Sequence, residues 1–151
     1  MLFQRINRSD PEKIFLVVKN SWSTDSLTNG QAVQWDFTAD YDGVGVTRPT
    51  ARATNAGTAF AGIVTETIAA GAYGLIQIYG YHSATRIRAK TSTAPAIHMG
   101  SPLALASAGG VYCLESIATG SKVIFVYPCA IAFSHNLLWT TTARGVFIKA
   151  M

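Results

Sequence analysis

The run Ala61-Gly-Ile-Val-Thr-Glu-Thr-Ile-Ala-Ala-Gly-Ala-Tyr-Gly-Leu-Ile-Gln-Ile-Tyr-Gly80 leaves this chain few choices of fold. Ile63, Val64 and Ile68 precede a small-residue corner, Ala69-Ala70-Gly71, and Leu75, Ile76, Ile78 and Tyr79 follow it. Ile, Val, Thr and Tyr suit a pleated, half-buried surface. Gly71 and Gly74 supply the backbone freedom of a tight corner. The stretch therefore predicts strand, turn, strand, and it holds no nucleophile, metal-ligand set or phosphate loop.

The flanking chain has the same character. Ser9-Asp10-Pro11-Glu12 has the chemistry of a helical first turn, but no helical pattern follows it. Ile14-Phe-Leu-Val-Val18 is an unbroken apolar run and predicts a strand covered on both faces. Asn29-Gly30 is a strong hairpin signal. Beyond it Val33, Trp35 and Phe37 alternate with Gln34 and Asp36, so residues 14–37 read as a two-stranded unit. Residues 48–57 are turn-rich and read as a surface loop. Gly100–Gly110 reads either as a strand with Pro102 at its edge or as a helical turn, Ala130–Phe133 extends a strand past Pro128, and Leu137–Trp139 and Gly145–Lys149 offer one or two more short strands in the tail. Val111–Leu114 and Lys122–Tyr127 read as a hairpin around Ala118–Ser121. Ile68-Ala-Ala-Gly71 is echoed by Ile117-Ala-Thr-Gly120, too briefly to define a repeat array. The expected fold is all-β: one small barrel or sandwich over residues 11–151, with its barrel-like core at about 44–131. An extended N-terminal arm, residues 1–10, precedes it.

Only 13% of the 151 residues are charged while 49% are apolar, about half the charge usual in soluble domains. So few charges cover a lone globule poorly, which points to an oligomer or a larger assembly. The net charge is +4, too mild to require nucleic acid. Its sharpest local expression is Ala84–Lys90, where Arg86, Arg88 and Lys90 alternate with Thr85, Ile87 and Ala89. That spacing puts three cations on one strand face. Such a face either protects a sheet edge or docks on an acidic partner. Residues 1–10 read either as a frayed terminus or as an arm that orders against a partner, with Phe3 and Ile6 as apolar anchors and Arg5 and Arg8 as charged contacts, a composition suited to adding a strand to a partner's sheet. Residues 1–10 have no apolar core of the kind a secretory leader carries. No apolar run approaches the ~18 residues of a membrane-spanning helix.

Catalytic constellations are not legible. His82, His98 and His135 have no metal-ligating neighbour at helical or strand spacing. Glu66 and Glu115 are the carboxylate pair a glycosidase reading would need, and both are expected on exposed strand positions. Asp36, Asp40 and Asp42 lack the spacing and distal Glu of a calcium loop. Gly43-Val-Gly-Val46 lacks the third glycine of a dinucleotide fingerprint. Cys113 and Cys129 read as reduced, buried thiols that are not joined to each other. The chain is thus expected not to be an enzyme and to use no cofactor or metal.

The order GIV-x-E-x-IAAG-x-YGLIQI-x-G over Gly62–Gly80, followed by Gly100-Ser-Pro-Leu-Ala-Leu105 and Gly109-Gly110, resembles the small β-barrel of phage head decoration (capsid cement) proteins. The resemblance spans roughly residues 44–131. It implies a structural virion protein on the outer surface of the capsid, assembled in the host cytoplasm and trimeric. It would bind the major capsid protein in the assembled shell, with no membrane and no direct nucleic-acid partner. Phe3, Arg5, Ile6, Arg8, Arg86, Arg88 and Lys90 are then the candidate capsid contacts. Two other functions stay open. One is a carbohydrate- or receptor-binding barrel of a phage fibre, with Trp22, Trp35, Trp139 and the tyrosines as stacking platforms. The other is a hydrolase dependent on His82.

Overall fold

The computed structural model describes residues 12–38, 43–49, 59–89, 97–105, 113–116, 129–133 and 141–150. Among them there is no helix, and the nine strands are β1 (Ile14–Asn20), β2 (Ala32–Trp35), β3 (Gly45–Thr47), β4 (Phe60–Val64), β5 (Tyr73–Arg88), β6 (Pro102–Leu105), β7 (Leu114–Ser116), β8 (Ala130–Ala132) and β9 (Thr142–Lys149). The all-β expectation holds. The arm, the Ser9–Pro11 turn, Lys90, residues 50–58 and the expected hairpin around residue 119 lie outside the described residues.

The strands close on themselves twice, in the order β1-β3-β2-β4-β5-β7-β6-β8-β9 with further pairings β1–β5 and β5–β9. The first circuit is β1, β2, β3, β4 and the start of β5; the second is the rest of β5 with β6, β7, β8 and β9. Both follow one rule. The first strand lies parallel to the third (Lys19 opposite Gly45, Ile87 opposite Leu114). Every other contact around each ring is antiparallel. Registers correspond residue by residue. Ile63 opposes Gln77 and Val64 opposes Ile76, as Ile131 opposes Phe147 and Ala132 opposes Val146. Pairing is partial along β1: Lys19 and Asn20 pair with β3, whereas Ile14–Val18 have β5 alone among the described strands.

The turns repeat as well. Gln31 N–H donates to the Thr28 carbonyl at 3.2 Å, and Ser101 N–H to that of His98 at 3.0 Å. The side chain at the same position returns a bond: Thr28 N–H donates to Gln31 Oε1 at 2.6 Å, and His98 N–H to Ser101 Oγ at 3.0 Å. Gly30 (φ 79°) and Gly100 (φ 86°) hold the left-handed corner in each, a conformation that glycine reaches without steric cost. They stand about seventy residues apart. The repeat is therefore of this period, and the Ile68/Ile117 echo belongs to a different spacing.

Two apolar cores fill the rings. Val18, Leu27, Val33, Val46, Ala61, Val64, Ile68 and Ile76 form the first. Ile87, Ile97, Leu103, Leu105, Leu114, Val146 and Ile148 belong to the second, which also takes Ala32, Phe60 and Ile63 from the first ring. β2 and β4 are thus a wall with a core on each side. A bulge sets which residues of β4 share a side. Val33 opposes Gly62 but Gln34 opposes Phe60, so Ala61 is the extra residue. It rotates the strand so that Phe60 and Ile63 face one core while Ala61 and Val64 face the other.

Three expectations need correction. β1 and β2 do not pair: β1 lies between β3 and β5, and the Asn29-Gly30 turn joins β2 to Leu27, which bridges Ile68. The start of β1 is not covered on both faces. Ile14, Phe15, Leu16 and Val17 are exposed, Val17 to 59%; among the described strands this end of β1 has β5 on one side and no β3 partner on the other. Phe37, expected to share a face with Val33 and Trp35, is exposed, since β2 ends at Trp35. The strand–turn–strand reading of residues 61–80 stands, with Ala72 N–H closing the corner on the Ala69 carbonyl at 3.0 Å.

The shared wall gives a paired test. Ile63 is fully buried, whereas its counterpart Ile131 is 45% exposed. Ile63→Ala should cost about 2–5 kcal/mol in urea unfolding and Ile131→Ala under about 1 kcal/mol. Equal costs at the two positions would refute the two-core wall.

Candidate docking surface

The basic strand is where sequence reasoning placed a docking face, and its inward half is as expected: Thr85, Ile87 and Ala89 are buried. The outward half differs. Arg88 is only 7% exposed and Glu115 4%, with Arg88 Nη2 3.3 Å from Glu115 Oε2. Parallel pairing of β5 with β7 sets Arg88 opposite Glu115 and so brings the charges together. Both the exposed cation expected at Arg88 and the exposed carboxylate expected at Glu115 are corrected by this pair. Arg86 turns toward the first ring. Its backbone N–H donates to the Gly30 carbonyl at 2.8 Å, and Nη2 donates to Thr28 Oγ1 at 2.8 Å. It ties one ring's turn to the other ring's strand. Lys90 and the arm residues Phe3, Arg5, Ile6 and Arg8 lie outside the described residues.

The acid–base candidates are dispersed. His82 Nδ1 lies 2.9 Å from Thr85 Oγ1, and burial, with the Lys13 ammonium second, holds its pKa below the usual histidine range. Glu66 is spent on the hairpin, accepting from Leu75 N–H at 3.1 Å. Asp36 accepts from Thr38 N–H at 3.2 Å and from its hydroxyl at 2.7 Å. Among the described residues no three His, Cys, Asp or Glu side chains converge as a metal site would need. Both cysteines are free and buried, as expected. Burial pushes the Cys113 thiol up to about 12 against the pull of Arg88, and the Cys129 thiol likewise to about 12. Trp22 and Trp35 pack against the first core, and the Arg48 guanidinium lies 3.9 Å from the Trp22 ring centroid. Trp139 lies outside the described residues.

What sequence reasoning missed is an aromatic face on the outside of the second ring. Tyr81 opposes Phe147, which opposes Ile131 on the next strand. Phe133 N–H donates to the Gly145 carbonyl at 2.9 Å, carrying its ring to the same region. Tyr79 and Phe147 meet edge to face at 5.1 Å, Tyr81 and Phe133 at 5.9 Å, and Phe133 and Phe147 at 6.2 Å. Such pairs contribute about 0.5–1.5 kcal/mol each beyond area burial. Gly145 makes room for them, since a Cβ there would stand 2.7 Å from the Tyr81 hydroxyl. Ile131, Phe133 and Tyr81 nonetheless remain substantially exposed. The available signal was the spacing Ile131-x-Phe133 set against Gly145-x-Phe147, which becomes one patch only after β8 and β9 are paired.

No protein-family profile matches this chain, and no curated protein matches it. Among solved structures it is similar to the head fiber gp8.5 N base of bacteriophage phi29. That likeness has a TM-score of 0.49 and 11% identity, and covers 92% of this chain and 96% of that one.

Two outcomes follow from the buried groups. Glu115→Ala leaves a buried guanidinium uncompensated and should cost about 3–5 kcal/mol, while Arg88→Met with Glu115→Leu should recover most of the loss. A mild effect of Glu115→Ala alone on the urea midpoint would contradict the buried pair. Native protein at pH 8 should react with iodoacetamide at least ~100-fold more slowly than a free cysteine. Fast alkylation of either thiol would contradict their burial.

Proposed function

We propose that this chain is a structural protein of a phage virion that decorates an assembled capsid shell as an oligomeric cement. The observation that carries the reading is a sparsely charged, all-β body with apolar sheet faces left bare: Phe15, Val17, Tyr73 and Leu75 on the first ring, and Tyr81, Ile131 and Phe133 on the second. Surfaces of this kind are finished by neighbours. The resemblance of Gly62–Gly80 and Gly100–Leu105 to decoration proteins supplies the class of neighbour. No catalytic role is proposed. The dispersed placement of His82, Glu66 and Glu115 supports that view.

Binding to the assembled lattice and not to free shell subunits would stabilise the shell by mass action. The arm is the proposed shell contact. Phe3 and Ile6 fill pockets, Arg5 and Arg8 meet acidic groups, and the main chain adds a strand to the shell subunit. With Arg88 buried and Arg86 engaged by Thr28, charge steering falls to the arm and to Lys90. Co-sedimentation with assembled shells and with free shell protein tests the reading, and absence of shell binding refutes it. Deleting residues 2–8 should leave the melting temperature nearly unchanged. The same deletion should weaken shell binding at least about tenfold, about 1.4 kcal/mol. Undiminished binding by the truncated protein would move the contact to the rings.

A further inference from the structure

Along most of β1, one side of the main chain meets no strand among the described residues. Backbone groups in a strand point alternately to its two sides. Asn20 N–H donates to the Ala72 carbonyl at 2.9 Å, on the β5 side, whereas Lys19 N–H donates to the Val44 carbonyl at 2.9 Å, on the β3 side. Phe15 and Val17 are in step with Lys19, so their amides face the β3 side, beyond the last β3 pair at Lys19. Among the described residues nothing accepts from them there. The side chains agree with an open edge. Ile14, Phe15, Leu16 and Val17 alternate between the two faces of the strand, and all four are exposed. A strand laid alongside would cover part of each.

We propose that this edge of β1 receives an extended segment of the shell subunit as an additional strand. A free edge is a template for strand pairing, and the arriving segment gains main-chain hydrogen bonds together with contacts to alternate side chains. The ends of the edge select the partner. Lys13 and Lys19 are exposed and bracket the run, with Glu12 outside the bracket. If two copies of β1 paired antiparallel over the whole run, with Ile14 opposite Val18, Lys13 would stand opposite Lys19. Like charges so placed oppose pairing. A segment with apolar residues in its middle and a carboxylate toward each end meets the same two lysines favourably. The edge is thus guarded against its own copy and open to an acidic-ended strand of another protein. Residues 1–11 precede the edge directly in the chain, so the strand addition proposed for the arm continues into β1. The inference rests on the cement reading for the identity of the partner, and it adds a site on the folded body to the contact made by the arm.

Amide hydrogen exchange on the full chain, alone and bound to assembled shells, tests the edge. In the free chain Phe15 and Val17 should exchange faster than Leu16 and Val18, whose amides face β5; on shells they should be protected about tenfold or more. Val17→Pro removes an edge amide without removing a bond to β5. It should keep a melting temperature close to that of the unmodified chain and weaken shell binding at least about tenfold. Val17→Thr keeps the amide and should bind as the unmodified chain does. If Val17→Pro loses its cooperative melt, Lys13→Glu with Lys19→Glu takes its place and must weaken binding by the same factor. Shell-bound protein in which Phe15 and Val17 still exchange fast, or undiminished binding by a folded Val17→Pro variant, would overturn the proposal and leave the cement reading intact. Protection already present in the free chain would also overturn it, and protection that grows with protein concentration would identify a second copy as the occupant. If the chain ignores shells, the cement reading falls and a peptide decides the edge. A short strand of alternating Val and Thr with Glu at each end should protect Phe15 and Val17, and its Lys-ended counterpart should not. No protection by the Glu-ended peptide, or equal protection by both, removes the edge as well.

Discussion

The bulge at Ala61 is the constraint on which the molecule turns. An ordinary strand shows one side to the core and the other to water, with period two. β4 is covered on both sides with all five residues buried, and the one unpaired residue, Ala61, sets which side chains share a core. β2 answers from across the ladder, with Ala32 toward one core and Val33 toward the other. Two small rings, each marginal alone by the surface-to-volume argument, acquire a common wall and become mutually dependent. The Arg86 contacts to Gly30 and Thr28 fasten the same junction from the polar side.

Fold class and central hairpin were legible because Ile63–Ile78 combines β-branched density with a glycine corner, and both are local signals. The inward set Thr85, Ile87 and Ala89 was legible for the same reason. Alternation tells which side a residue takes but not what waits there. Arg88 looked like a solvated cation until β7 placed Glu115 against it, from 27 residues further along the chain. The run Ile14–Val17 misled in the opposite sense: an apolar stretch reads the same whether it enters a core or stays at the surface. The duplication was hidden because its shared features are pairing registers and two left-handed glycines, which many sequences satisfy. Only Leu27 with Gly30 and Ile97 with Gly100 keep a visible trace.

Charge economy links these features to the proposed role. Three described arginines are engaged within the molecule: Arg86 with the turn, Arg88 with Glu115, and Arg48 with the Trp22 ring. The two bare sheet faces combine hydrocarbon and aromatic rings with a bordering lysine on each, Lys19 opposite Tyr73 and Lys149 opposite Tyr79. Contacts made by such surfaces lose little strength with added salt, unlike exposed ion pairs. They strengthen on warming from the cold, as hydrophobic association does. A particle that meets changing ionic conditions would be held together by the less sensitive of the two forces.

β5 is the last strand of one ring and the first strand of the other. Every partner needed to close the first ring has left the ribosome once Tyr79 has emerged, whereas the second must wait for β9, whose pairing runs to Lys149. During that interval Ile63 and Phe60 have no second core to enter, and the apolar wall of the first ring stays uncovered. Domains commonly fold in order of synthesis, and exposed apolar surface at that stage invites aggregation. The seam that gives the finished molecule its shared interior is thus also its period of greatest vulnerability, and translation speed between β5 and β9 sets how long that period lasts.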